Sequence, residues 1–217
     1  INFIITDFKN EINVVYSGLK ARNIGGIIQG RGNLAEEWVV IGGHYDHVGY
    51  GYTGTSSPGV LHTGADDNAS GIAVLLEIAQ FLADLKKRGL LKMNFDICFA
   101  AWSGEEIGLV GSAHYARELE KKAKADDDNA SLPLVAYLNL DMVGRYDEIL
   151  TLHGVGSGEG WLPIIEKANV PVGLNLNPQK DSHLPTDTTS FYSRGVPILS
   201  AFTGLHKDYH APTDTAE

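Results

Sequence analysis

The side chains best suited to hold a divalent cation or move a proton stand where the chain leaves its apolar runs. Trp38-Val39-Val40-Ile41 runs into Gly42-Gly43-His44-Tyr45-Asp46, and Met93–Trp102 runs into Ser103-Gly104-Glu105-Glu106. Leu134–Leu140 runs into Asp141-Met142-Val143-Gly144, and Ile198–Phe202 into a short loop carrying His206, Asp208 and His210. A further acidic pair, Asp66-Asp67, lies at a loop-to-helix junction, Gly64-Ala65-Asp66-Asp67-Asn68-Ala69-Ser70-Gly71. All are oxygen or imidazole donors of the kind zinc accepts. Taken singly each has a plain explanation: a histidine at a strand end is usually just hydrogen-bonded, and an aspartate at a helix start usually faces the dipole. Their convergence is what points to chemistry. Carboxylates gathered at one sheet edge repel and are costly to bury unless a divalent cation sits among them. The residues alone therefore imply a carboxylate-rich metal site and leave the number of ions open.

Convergence requires elements that bring those ends together. Phe3–Tyr16, Asn23–Gln29, Trp38–Ile41, Met93–Trp102, Leu134–Leu140, Ile149–His153 and Ile198–Phe202 read as strands. Helices are expected from about Asn68 to Lys87, capped by Asn68 or Ser70, through about Gly111–Lys122, and over Trp161–Ala168. Gly49–Gly64 reads as a loop, and Lys124–Asn129 as a solvated charge run. Strands alternating with helices predict an α/β chain whose mainly parallel sheet is covered on both faces. Ligands of such sheets bind beyond the carboxyl ends of the strands.

Composition narrows the function classes. The 217 residues are 43% apolar and 20% charged, as in a folded domain. The formal charge of -10 argues against a nucleic-acid partner. Part of that charge is cancelled if metal ions are bound. The single cysteine, Cys98, lies in an apolar run and reads as core; it excludes an intrachain disulfide and a thiolate cluster. No apolar run reaches the ~18 residues of a membrane span. Residues 1–217 read as one domain, trimmed at both ends, and nothing in them fixes the oligomeric state.

The motifs His44-Tyr45-Asp46, Gly64–Gly71, Glu105-Glu106-Ile107-Gly108-Leu109-Val110-Gly111-Ser112, Asn139-Leu140-Asp141-Met142 and Tyr209-His210-Ala211-Pro212-Thr213-Asp214-Thr215 resemble those of the family-28 zinc metallopeptidases. That group contains secreted bacterial and fungal aminopeptidases, glutamate carboxypeptidase II and the glutaminyl cyclases. The match runs in the family's order from about Asn23 to Thr215. The resemblance implies a three-layer α/β/α zinc exopeptidase fold with a mixed, mainly parallel sheet. It implies two zinc ions per chain, one on His44 and Asp141 and one on Glu106 and His210, with Asp66 bridging them. Glu105 is implied as the base that takes a proton from the attacking water and returns it to the leaving amine. Asp46 is implied as the carboxylate that orients His44, and Asp67 as the residue joined to Asp66 by a cis peptide. The implied substrate is a peptide with a free N-terminus, and the implied location is secreted, or periplasmic or in the cell envelope.

The chain also departs from the pattern. Where the family often has Ser-Asp-His, this sequence has Thr186-Asp187-Thr188, and His183 stands where several relatives carry a tyrosine. His183 is expected to stabilise the developing oxyanion. Gly154–Gly160 lacks dinucleotide spacing and a following Lys-Ser or Lys-Thr, and reads as a flexible connection. Neither a Gly-x-Ser-x-Gly elbow nor a His-Glu-x-x-His helix is present. His47, His62, His114 and His153 are read as structural, and Trp38, Trp102 and Trp161 as core. An aminopeptidase is the first expectation. The alternatives are a glutamate-type carboxypeptidase, for which Arg145 is one candidate carboxylate anchor, a single-zinc glutaminyl cyclase, and a non-catalytic receptor-like module.

Overall fold

A computed structural model describes residues 11–13, 20–30, 37–52, 55–125, 127–128 and 130–216. Of the expected strand Phe3–Tyr16, only Glu11–Asn13 falls within them; it forms β1 and pairs antiparallel with β2, Lys20–Arg22. The chain continues through β3 (Ile24–Ile28), β4 (Trp38–His44), α1 (Gly71–Lys87), β5 (Asp96–Trp102), α2 (Val110–Ala123) and β6 (Leu134–Leu140). It then forms β7 (Leu150–His153), α3 (Trp161–Asn169), β8 (Leu176–Gln179), α4 (Thr188–Tyr192) and β9 (Ile198–Phe202).

Strands β3 to β9 make one sheet in the order β3-β5-β4-β6-β9-β7-β8. Its four central strands, β5, β4, β6 and β9, run parallel. Strands β3 and β7 run against their inner neighbours, so the sheet is mixed. β8 is a short, largely exposed edge strand containing Pro178, which a sheet interior would exclude. Its polar sequence carries no strand signal, and it was not among the expected elements. Nor was α4, which is too short to display a helical period.

Alternate strand residues feed two layers, as a pleated strand requires. Val40, Cys98 and Ala100 meet α2 and α4 through Tyr115, Ala116, Leu119 and Phe191. Ile41, Ile97 and Phe99 meet α1 through Leu75 and Ala79. Ile165 of α3 packs on Leu152 and Val155. The first layer holds an aromatic cluster: the Tyr137 and Phe191 rings stack at 4.2 Å, and Trp102 Nε1 donates to the Tyr137 hydroxyl at 2.9 Å. That hydroxyl donates to Asn139 Oδ1 at 2.7 Å. The cluster pins together the ends of β5 and β6, the strands that lead to Glu105 and Asp141.

α1 begins at Gly71 rather than near Asn68. Residues Ala65–Ser70 form a wide turn of the π type in which Asp66, Asp67 and Asn68 are buried. Ser70 makes no capping bond; its hydroxyl donates to the Asp66 carbonyl and accepts from the Val143 N–H. The local sequence is thus committed to building a site, at the expense of a longer helix.

Candidate functional site

The parallel register aligns the four central strand ends. His44 closes β4 opposite Trp102 of β5, and Leu140 of β6 lies opposite Ala201 of β9. The loops carrying Glu105 and Glu106, Asp141, and His206 to His210 therefore leave one sheet edge. Asn68 seats the 65–70 turn on that edge. Its amide donates to the carbonyls of Leu140 (2.9 Å) and His44 (3.3 Å), and its oxygen accepts from the N–H groups of Gly71 (3.1 Å) and Met142 (3.2 Å). Two glycines allow the approach: a Cβ on Gly43 would lie 2.6 Å from the Leu140 oxygen, and one on Gly71 2.3 Å from Asn68 Oδ1. Asp214, 0% exposed, accepts the N–H groups of Asp66 and Asp67 at 3.0 and 3.1 Å. Its charge is answered by Arg145, which spans Asp214 (3.3 Å) and Asp208 (2.8 Å).

Two groups of donor atoms meet above this scaffold and share one residue. His44 Nε2 lies 3.2 Å from Asp67 Oδ1 and 3.4 Å from Asp141 Oδ1. His210 Nε2 lies 3.1 Å from Asp67 Oδ2 and 3.1 Å from Glu106 Oε2. Two ligands held about 2.0–2.1 Å from one tetrahedral zinc stand about 3.3–3.4 Å apart. The observed separations are close to that edge: His44, Asp67 and Asp141 offer three protein atoms, and Asp67, Glu106 and His210 three more, with His47 Nδ1 beside them at 2.9 Å from Glu106 Oε1. The donors fit zinc. Electrostatics points the same way. Burial works to lower the His44 imidazole, yet Asp141 and Asp67 hold it well above its ordinary value. Burial works to raise Asp67, but His44, with His47 and His210, holds it below the usual carboxylate range. The cluster demands positive charge.

Four expectations require correction. The shared carboxylate is Asp67 and not Asp66. Asp66 turns the other way, where Oδ1 accepts from the Gly144 N–H at 2.7 Å and Oδ2 from His206 Nε2 at 3.1 Å. The cis peptide is correspondingly one residue on, at Asp67-Asn68. The Asp46 carboxylate does not orient His44: its Oδ1 is 3.9 Å from Nδ1, which bonds the Asp46 carbonyl at 3.0 Å instead. That carboxylate accepts the Glu105 N–H at 3.2 Å and so positions the neighbouring loop. His183 is exposed, packed edge-on to Tyr192 at 5.0 Å, and lies outside the cavity at the centre. The Asp181 carboxylate accepts the His183 N–H and turns the loop outward there.

The cavity holds about 270 Å³ and is lined on one side by His44, Asp67, Glu105, Asp141 and His210. Met142, Leu184, Phe202 and Leu205 form its apolar wall. Burial pushes Glu105 up to about 9; His44 opposes this, while Asp187, Asp141 and Glu106 add to it. Tyr209 also lines the cavity, its ring stacked on His210 at 3.9 Å and its hydroxyl pushed up to about 12 by burial. It therefore stays a donor. Its position directly before His210 was the available signal, and it was missed. His47, read as structural, belongs to the centre's surround: its Nδ1 donates to Glu106 Oε1 at 2.9 Å. His153, also read as structural, lines the cavity floor.

The chain is 39% identical over 76% of its length to an aminopeptidase of Pseudomonas aeruginosa (strain UCBPP-PA14), covering 28% of that protein. It is 30% identical over 82% of its length to the probable glutamate carboxypeptidase VP8 of Zea mays, covering 21% of it. The chain thus spans about a quarter of these curated relatives. Among solved structures it resembles BSAP, a zinc aminopeptidase from Bacillus subtilis, with a TM-score of 0.71 and 26% identity, over 92% of this chain and 45% of that one. The model of peptidase family M28 matches residues 23–217. A mixed sheet whose parallel core delivers His44, Glu106 and Asp141 to one edge, with the family model matching from Asn23 onward, makes this chain a member of peptidase family M28.

Proposed function

We propose that the chain is the catalytic part of an aminopeptidase that works with two zinc ions. His44, Asp67 and Asp141 would hold one, and Asp67, Glu106 and His210 the other. The observation that carries this reading is the pair of three-donor groups joined through the two oxygens of Asp67, with separations of 3.1–3.4 Å. Zinc at such a centre supplies Lewis-acid polarisation of a carbonyl and makes a bound water acidic.

The chain's own residues would do the rest. Glu105, half-buried at the cavity wall with its N–H fixed by Asp46, is suited to take the proton of the attacking water and return it to the leaving amine. Divalent charge nearby favours its ionised form, against the burial that raises it in the chain alone. Tyr209, and not His183, is the donor suited to the developing oxyanion. A cavity of about 270 Å³ accepts one side chain with the reacting group, in keeping with removal of terminal residues. Its apolar wall of Met142, Leu184, Phe202 and Leu205 suits an apolar N-terminal residue.

The charge of the lining favours an amino over a carboxyl terminus. It carries the carboxylates of Asp67, Glu105 and Asp141 and, among the described residues, no lysine or arginine. Arg145 is engaged with Asp208 and Asp214 and is not free to hold a substrate carboxylate. Location outside the cytoplasm belongs to the same proposal, supported by the resemblance to secreted enzymes. A panel of aminoacyl-anilides and N-blocked peptides, with and without chelator, tests the reading. Free N-terminal substrates with leucine-like side chains should be cleaved, and only with metal; N-blocked substrates cleaved as fast would overturn it.

A further inference from the structure

Two buried imidazole nitrogens beside the centre have no protein donor. His62 is 2% exposed, and its Nδ1 lies 2.8 Å from the Val60 carbonyl oxygen. A carbonyl can only accept, so Nδ1 carries the proton and Nε2 is left as an acceptor. His47 repeats the pattern, donating from Nδ1 to Glu106 Oε1 at 2.9 Å. Both Nε2 atoms are buried without a hydrogen-bond partner. The two ring centroids stand 6.4 Å apart, with the planes tilted by 51°.

The separation decides what can join them. A ring nitrogen lies about 1.1 Å from its centroid, so the two Nε2 atoms stand at least about 4.2 Å apart, beyond a direct hydrogen bond of about 3 Å. It is also beyond the ~3.3 Å between two imidazoles on one tetrahedral zinc. A single water hydrogen-bonded to both spans about 4.5 Å, just above that lower bound. We propose that a buried water bridges His47 and His62, making His62 a positioning residue for Glu106.

The surrounding loop is built to hold that arrangement. The His62 N–H donates to the Gly49 carbonyl at 2.7 Å, and a Cβ on Gly51 would lie 2.8 Å from His62 Cε1. Gly64 backs the His47 ring, where a Cβ would fall 2.5 Å from its Cγ. Ser56 donates to the His210 carbonyl at 3.0 Å. The run from His62 through water and His47 to Glu106 Oε1 leaves Oε2 turned to His210, 3.1 Å away. Residues 49–52 and 55–64 thereby set the half of the centre formed by Glu106 and His210.

The proposal rests on the zinc reading only for its readout in metal affinity. Zinc affinity of the full chain is measured by chelator competition. His62→Phe keeps the bulk and removes the acceptor; acting through His47, it should weaken one zinc by up to about tenfold, the low end of what losing a ligand's direct partner costs. His62→Gln, which restores an acceptor oxygen, should recover most of that loss. Unchanged affinity in His62→Phe, or no recovery in a folded His62→Gln, overturns the proposal. Ring ¹⁵N–¹H correlation spectra of the wild-type protein give an answer that needs neither variant nor zinc. His62 should be protonated at Nδ1 with Nε2 accepting, and a His62 protonated at Nε2 overturns the bridge. A chain that binds no zinc sinks the zinc reading, and the spectra still decide this one.

Discussion

Asp67→Asn beside Asp66→Asn separates two neighbouring carboxylates that differ in role. Asp67 presents one oxygen 3.2 Å from His44 Nε2 and the other 3.1 Å from His210 Nε2. Its amide would keep one oxygen and turn an NH₂ toward the other group, removing a charge and a donor at once. Taking one partner from a buried charge pair costs about 3–5 kcal/mol, and every ~1.4 kcal/mol is tenfold in affinity. Zinc binding should therefore weaken by roughly two to three and a half powers of ten. Asp66→Asn keeps an oxygen for the Gly144 N–H and loses only the charge opposite His206. A hydrogen bond to a charged group contributes about 1.5–3 kcal/mol, a fall of roughly 3–12 °C in Tm at this size. Zinc per chain after dialysis against graded free zinc, and melting in chelator, read the two effects separately. Asp66→Asn losing zinc while Asp67→Asn keeps it would refute the assignment.

Other variants test the remaining roles. Glu105→Gln should retain zinc and lose about 10²–10⁴ in kcat, read by metal analysis and single-turnover hydrolysis. Tyr209→Phe should lower kcat about 10²-fold with little change in KM, whereas His183→Ala, outside the cavity, should stay within about twofold. Phe191→Ala, at a fully buried stacking position, should cost about 3–5 kcal/mol in denaturant unfolding. Burial pushes the Cys98 thiol up to about 12, and it is 1% exposed. A maleimide at pH 8 should label it only as the chain unfolds; rapid labelling of the native protein would contradict the packing.

Much of this was legible in the sequence because the sheet enforces it. Trp38–Ile41, Ile97–Trp102 and Leu134–Leu138 are apolar on both faces, as central parallel strands must be, and each leads to a polar donor. The error at Asp66 and Asp67 has a simple cause. Both are carboxylates in one turn, and which of them faces the centre depends on where Gly144 and His206 offer hydrogen bonds, contacts made across 78 and 140 residues. Asp46 failed similarly, since a backbone carbonyl two residues from His44 does the work that a side chain was expected to do. His183 was placed by its distance along the chain from Thr186, and the loop turns it outward against Tyr192. Asp214 and Arg145 carry no local signature of their partnership, and β8 is too short and polar to announce itself.

Asp67 is proposed to join two metal ions. Anomalous diffraction at the zinc edge, from crystals of the full chain grown with zinc, tests it most directly. Two peaks should flank the Asp67 carboxylate, one toward His44 and Asp141 and one toward Glu106 and His210. A single peak, or a peak against the carboxylate of Asp66, would contradict it.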